Sequence, residues 1–286
     1  MAEVLNKNQI SRIFSDAQKH QRIGQIIRRF STNKDDIRQT ALRNLDLSGS
    51  RNVLDLGCAF GAFTETLKGR LHPRAIITGL DMLDEYESFF LDACRRAGYA
   101  GEFSARGVEQ IIKYPATSYD LIICSYALYF FPDLLGDIAR VLAGEGLFIT
   151  ITHSEADMRE LVDMIKKILK QNNLLTDNQT LPIENIVGRF SAQNGAALLQ
   201  KHFGSVQSID FKNTLIFPPQ EINHFLEYFH FKQLFFLNEA QAKKQVIIDQ
   251  LAREIQSTAQ KGKSINMCKD DIIFIASQPL TAKENT

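Results

Sequence analysis

From Asn52 onward, short β-rich apolar runs alternate with stretches whose apolar residues recur at helical spacing. That alternation points to a parallel sheet with helices packed on both faces. The runs are Val53 to Leu56, Ala75 to Leu80, a weaker one near Phe103, Leu121 to Cys124 and Leu147 to Thr152. Between them Tyr86, Phe89, Phe90 and Cys94 share one helical face, as do Leu134, Leu135, Ile138, Val141 and Leu142. The expected fold is α/β: a Rossmann-like, doubly wound, mostly parallel sheet. After Thr152 the pattern loosens. Leu161, Met164, Ile165, Ile168 and Leu169 mark a further helix, Ser191 is placed to cap a helix reaching Phe203, and a strand is expected from about Val206 to Phe217. Asn238 with Gln241 resembles a capping box for a long helix carrying Ile248, Leu251 and Ile255, and Asp271 to Ala276 reads as the last strand. The expected organisation is a helical N-terminal cap over 1–50 and a main domain over 51–286, with 218–268 a helical cap insertion before the last strand. Internal repeats are not evident.

Composition narrows the function. Of 286 residues 44% are hydrophobic and only 16 are Gly and 7 Pro, so the chain can bury a core and is neither disordered nor fibrous. Lys plus Arg and Asp plus Glu both number 33, and a zero net charge disfavours nucleic acid as the main partner, because phosphate binding is driven by basic excess. Cys58, Cys94, Cys124 and Cys268 form no CxxC and lack His at a zinc-ligand spacing, so no metal site is expected and the thiols read as buried in a reducing compartment. The first residues lack the apolar run of a signal peptide and no stretch approaches a membrane span, which together predict a cytoplasmic protein with no membrane partner. Residues 1–50 carry nine Lys plus Arg against five Asp plus Glu, read as a solvated basic face with Arg28 and Arg29 as the alternative anion contact.

The strongest local signal is Val53-Leu54-Asp55-Leu56-Gly57-Cys58-Ala59-Phe60-Gly61, an apolar strand running into a tight glycine turn. In an open parallel sheet ligands bind at the carboxyl ends of the strands where their order reverses. Asp81 follows Gly61 by twenty residues, at the end of the second strand, where a carboxylate can accept from two ribose hydroxyls. Strand, turn and acid imply an adenosine-containing ligand. A dinucleotide fingerprint would need glycine at 57, 59 and 62, whereas positions 59 and 62 hold Ala59 and Ala62, so NAD is disfavoured.

At these residues the sequence resembles the class I S-adenosylmethionine-dependent methyltransferase family, small-molecule type. Val53 to Gly61 is similar to its first motif, VLDLGCGxG, and Thr78-Gly79-Leu80-Asp81-Met82 to its second-strand xGxDxS. Tyr119 to Asp133 is similar to FDLVxSxxxLHHLPD, and Ala139 to Gly146 to xRVLKPGG. The resemblance covers roughly 50–155 closely and the last strands loosely. It implies a methyltransferase domain with S-adenosyl-L-methionine as cofactor. Carried over by position, it places Gly57, Cys58, Ala59 and Gly61 along the methionine and ribose, and Asp55 near the methionine amino group. It further sets Asp81 on the ribose hydroxyls, Met82 on adenine, Val108 with its N–H at the adenine edge, and Cys124, Ser125 and Tyr126 on the methionine side. Two departures stand out: Ala59 replaces the family's second glycine, and Gly107 stands where many members have an Asp on the adenine amino group.

Methyl transfer from a sulfonium is an in-line displacement, catalysed largely by positioning, with a base needed where the nucleophile carries a proton. Tyr129, in the place of the first His of LHHLPD, and His153, at the end of the fifth strand, are the catalytic candidates; both also read as packing or capping residues. Tyr126 and Tyr129 with Phe229 and Phe231, from the aromatic stretch 225–236, are the candidate acceptor-binding residues, so a small, apolar or aromatic acceptor with its O, N or C atom methylated is expected. Core packing or a homodimer interface is the other use of that stretch. An RNA or protein methyltransferase using the basic N-terminal arm, and an inactive cofactor-binding regulatory protein, stay open as alternatives.

Overall fold

The computed structural model describes residues 5–237 and 243–280, so the expected capping pair Asn238 and Gln241 lies outside the described residues. Among those residues the strands are β1 (Asn52–Leu56), β2 (Ile76–Leu80), β3 (Ala100–Ser104), β4 (Tyr119–Ser125), β5 (Leu142–His153), β6 (Phe203–Phe211), β7 (Thr214–Phe217), β8 (Ile265–Cys268) and β9 (Asp271–Pro279). The chain forms two compact units. One comprises Asp35–His153, Arg189–Phe211 and Asp271–Thr286, the other Met1–Lys34, Ser154–Gly188 and Lys212–Asp270.

The first unit holds a seven-stranded sheet in the order β3-β2-β1-β4-β5-β9-β6. The first five strands run parallel, and β9 and β6 pair antiparallel to β5 and to β9 respectively. This is the expected doubly wound sheet, and its order reverses between β1 and β4. Val53, Ile77, Leu121, Ile123, Ile149, Ile151, Ile273 and Ile275 project into one core with Ile37, Ala41, Leu42, Phe90 and Cys94 from helices on that face. Two contacts fix the strands that build the switch point. Asp120 accepts from the amides of Arg51 and Asn52 at 2.8 and 2.9 Å, tying the start of β1 to β4. The ring of Phe90, on helix Glu87–Ala97, lies against Gly79 of β2 so closely that a Cβ there would fall 2.6 Å from it.

The second unit is mostly helical and contains the two-stranded β7–β8 sheet. Asn6 and Gln9 form a capping box at the head of helix Lys7–Phe14. Helix Ile222–Phe236 is rich in aromatic residues and buries Phe225, Tyr228, Phe229, Phe235 and Phe236, while Asn223 and His230 on another side are exposed. None of the described helices is long and apolar enough to cross a membrane.

Three expectations change. The strand expected over 206–217 is two strands in different sheets, broken after Phe211; beyond the break the Asn213 amide donates to the Asp270 carboxylate at 3.0 Å and its carbonyl accepts from Lys269 at 3.0 Å. The helix expected to reach Phe203 spans Gly195–Leu199, and Phe203 instead opens β6. The first fifty residues do not group together: Ile37, Ala41, Leu42 and Leu47 belong to the sheet core, because their apolar side chains are buried against it. Phe90→Ala should lower stability by about 3–5 kcal/mol, read from the urea midpoint, since it empties a fully buried site over β2.

Candidate functional site

The carboxyl end of β1 leads into a turn that only unusual backbone geometry can make. Gly57 and Gly61 have φ of 67° and 72°, and a Cβ on either would come within 2.6 Å of Ala127 or Ala93. Ala59 takes φ 42° without glycine's freedom, a conformation that costs an L-residue roughly 1–2 kcal/mol. The turn is held on β2: the Gly57 amide donates to the Leu80 carbonyl at 2.8 Å, and the Ala59 amide donates to Asp81 Oδ2 at 2.9 Å. Asp81 Oδ1 accepts from Met82 and Leu83 at 2.8 and 3.2 Å. Burial pushes the Asp81 carboxyl up, against these three amides, which favour its charge.

Asp55, on β1, is 2% exposed and accepts from the Thr64 hydroxyl at 2.8 Å. Burial pushes its carboxyl up to about 7, and the Asp81 charge adds to this while Thr64 and the Arg38 charge oppose it. Arg38 lies on helix Ile37–Ala41, and its Nε is buried without a hydrogen-bond partner. Ser125 Oγ, at the end of β4, is likewise buried without one. A buried unpaired hydroxyl or guanidinium N–H costs about 1–3 kcal/mol unless something satisfies it. A zwitterionic amino acid moiety beside Asp55 would supply partners of both kinds, so these residues fit the methionine end of S-adenosylmethionine. Gly107, at φ 81°, donates to the Asp81 carbonyl at 2.8 Å and starts the 3-10 turn Val108–Lys113, so Val108 stands next to the end of β2. The thiols of Cys58 and Cys124 are buried, and burial raises the pKa of both.

Past β4, Tyr126 also has a positive φ, 59°, and its hydroxyl donates to Asp271 Oδ2 at 2.7 Å. Asp271 Oδ1 lies 2.7 Å from His153 Nδ1. The imidazole sits 4.8 Å from the Tyr126 ring and 5.8 Å from the Tyr129 ring, near-parallel to the latter at 21°. His153 and Tyr129 are only 6% and 7% exposed. Thus the structure brings Tyr126, Tyr129 and His153 together, and adds Asp271, Arg38 and Thr64, which sequence reasoning missed. Asp271 did carry a signal, as the one acid opening an otherwise apolar strand. Phe229 and Phe231 belong to the other unit. There Phe229 is buried, with Phe236 6.2 Å away, and Phe231 stacks on His20 at 5.8 Å with Phe14 at 5.9 Å.

This chain belongs to the methyltransferase family: the family model described as a methyltransferase domain matches residues 47–266. It is a class I S-adenosylmethionine-dependent methyltransferase, and S-adenosylmethionine is its cofactor. The fold is shared with the YcgJ protein of Bacillus subtilis, at 16% identity over 91% of this chain and 99% of that chain, TM-score 0.51. It is shared too with a candidate methyltransferase of Bacillus halodurans, at 14% identity over 85% and 99%, TM-score 0.53. No curated protein matches the sequence.

Asp55 gives this site a stability signature. Its carboxyl titrates near 7 in the folded chain against an ordinary value of 3.8, so the folded state holds the extra proton between those values and the contribution of Asp55 to stability falls as pH rises across them. Asp55→Asn, which cannot ionise yet keeps an acceptor for Thr64, should gain thermal stability relative to the native chain on moving from about pH 5 to about pH 8. An unchanged difference in Tm across that range would show that Asp55 is ionised throughout.

Proposed function

We propose that this methyltransferase acts on a small organic acceptor, apolar or aromatic in character, at an O, N or C atom. One observation carries the reading: the polar groups on the acceptor side, His153 and Tyr129, are almost wholly buried. An acceptor reaching them must be small enough to be enclosed, whereas RNA or a folded protein would need them displayed on the surface. The zero net charge supports the same choice. Bound S-adenosylmethionine supplies an electrophilic methyl carbon, so the protein's work is to orient the acceptor, exclude water and manage its proton.

On the cofactor side, Asp81 takes the ribose hydroxyls, Met82 and Val108 meet the adenine, and the backbone of Gly57, Cys58, Ala59 and Gly61 follows the methionine and ribose. Asp55 and Ser125 take the methionine amino group, and Arg38 its carboxylate. On the acceptor side Tyr126, Tyr129 and His153 form the wall. The packing of Phe229 and Phe231 inside their own unit already accounts for both rings, so they are left out of the acceptor site. A cytoplasmic location fits a methyl donor and thiols of this kind.

Two measurements test this. In calorimetry, Asp81→Ala should lose charge-assisted bonds worth roughly 1.5–3 kcal/mol, about 10- to 150-fold in affinity for S-adenosylmethionine, with NAD giving no signal in either chain. With tritiated methyl donor and a cell extract, label should enter the acid-soluble fraction. Label confined to acid-precipitable material that RNase or protease releases would overturn the small acceptor in favour of a macromolecule.

A further inference from the structure

His153 closes β5 and Asp271 opens β9, and the antiparallel register sets the two residues directly opposite one another. Both oxygens of the Asp271 carboxylate are engaged, Oδ1 with His153 Nδ1 and Oδ2 with the Tyr126 hydroxyl, each at 2.7 Å. The Tyr126 contact is made from a left-handed backbone, φ 59°, which is costly for a bulky residue and is anchored by its amide donating to the Ile151 carbonyl at 2.8 Å. A neutral imidazole has one N–H and one lone pair, and a carboxylate at Nδ1 draws the proton to that nitrogen. With the proton on Nδ1, the neutral ring would carry its lone pair on Nε2. The same carboxylate stabilises the ring once it becomes imidazolium, as in the Asp-His pairs of hydrolases. Tyr126 and Tyr129, flanking the ring, limit its rotation.

Building on the proposed small-acceptor reading, we propose that His153 is the general base of the reaction, with Asp271 and Tyr126 as positioning residues that fix its tautomer and orientation. It follows that the acceptor is one whose nucleophile carries a proton that must leave, an alcohol, phenol or protonated amine, and not a thioether or tertiary amine. In the step, the acceptor atom's lone pair forms the new bond to the methyl carbon; where the acceptor is a protonated amine, that pair is the one left on nitrogen when its N–H bond breaks first. The carbon–sulfur bond breaks with its electron pair left on sulfur, so the sulfonium becomes a thioether. The O–H or N–H proton passes to His153 Nε2, giving an imidazolium that faces Asp271, and later leaves to solvent.

The tautomer can be read without any acceptor. Long-range proton–nitrogen NMR of the full chain with labelled histidine, His153 being assigned with His153→Asn, should show at about pH 8, above the usual imidazole range, a proton on Nδ1 and none on Nε2. Asp271→Asn should shift a measurable share to the Nε2–H form, with Tyr126→Phe as the milder variant should Asp271→Asn fold poorly. A native His153 protonated at Nε2, in either the neutral or the charged ring, would overturn the proposal. Once the labelled product is in hand, Asp271→Asn should lower kcat on the order of 10²- to 10⁴-fold while affinity for S-adenosylmethionine stays within about twofold. Product formed by His153→Asn and Asp271→Asn at near-native kcat would sink the base and leave the small-acceptor reading standing. Label found only on macromolecules would sink the latter, with the tautomer still deciding the former.

Discussion

The amide of Ala59 donating to the carboxylate of Asp81 joins the turn after β1 to the end of β2, and the carboxyl edge of the sheet is organised around that bond. It requires Gly57 and Gly61 in left-handed conformation, because any side chain there would collide with Ala127 or Ala93. Phe90 packs against Gly79 where a Cβ would collide with its ring, which keeps the helix close to β2. The turn is thus the place where backbone strain, packing and electrostatics meet: the carboxylate that organises it is buried, its pKa is raised by that burial, and three amides offset part of the cost of its charge.

Burial has a second consequence at Asp55. A carboxyl with a pKa of about 7 is poised to respond to a nearby charge, and the Arg38 guanidinium, an opposing influence on that carboxyl, carries an N–H with no partner of its own. Together with the orphaned Ser125 hydroxyl, these groups leave this part of the carboxyl edge short of hydrogen bonds. Such a site is preorganised, and a bound zwitterion would recover interactions that the protein itself leaves unmade.

The meeting of His153 with Asp271 depends on the direction of one strand. In a wholly parallel sheet every strand starts at the edge opposite the ligand, and an acid at the start of a strand would be remote from the chemistry. Because β9 runs antiparallel to β5, its first residue, Asp271, arrives beside His153, the last residue of β5. Tyr126, forced into a left-handed conformation one residue past β4, delivers its hydroxyl to the same carboxylate.

How much of this was legible beforehand divides along the range of the interactions. The strands β1, β2, β4 and β5, the glycine turn, and Asp81 at the end of β2 could be read directly, because each is written in local apolar periodicity or in a residue type that a sharp turn demands. The weak β3 and the last strand followed from the same alternation. The break between β6 and β7 could not be read, since buried Phe211 and Leu215 flank it on either side and it is held by Asp270 and Lys269, far along the chain from Asn213. Nor could the membership of residues 35–50 in the sheet core, because the helix Ile37–Ala41 has only two buried apolar residues, too few to say which core they join. Asp271 was legible only as an acid opening the last strand, and its pairing with His153, 118 positions away, was not; Arg38 left no signal, since it matters only through its charge acting on Asp55, a carboxylate on another element. Local pattern therefore determined the sheet and the adenosine-binding turn, and the motifs' resemblance to a known family gave the cofactor, whereas the meeting of Tyr126, His153 and Asp271 was decided by tertiary structure, because hydrogen bonds between distant strands leave no periodic trace in the sequence.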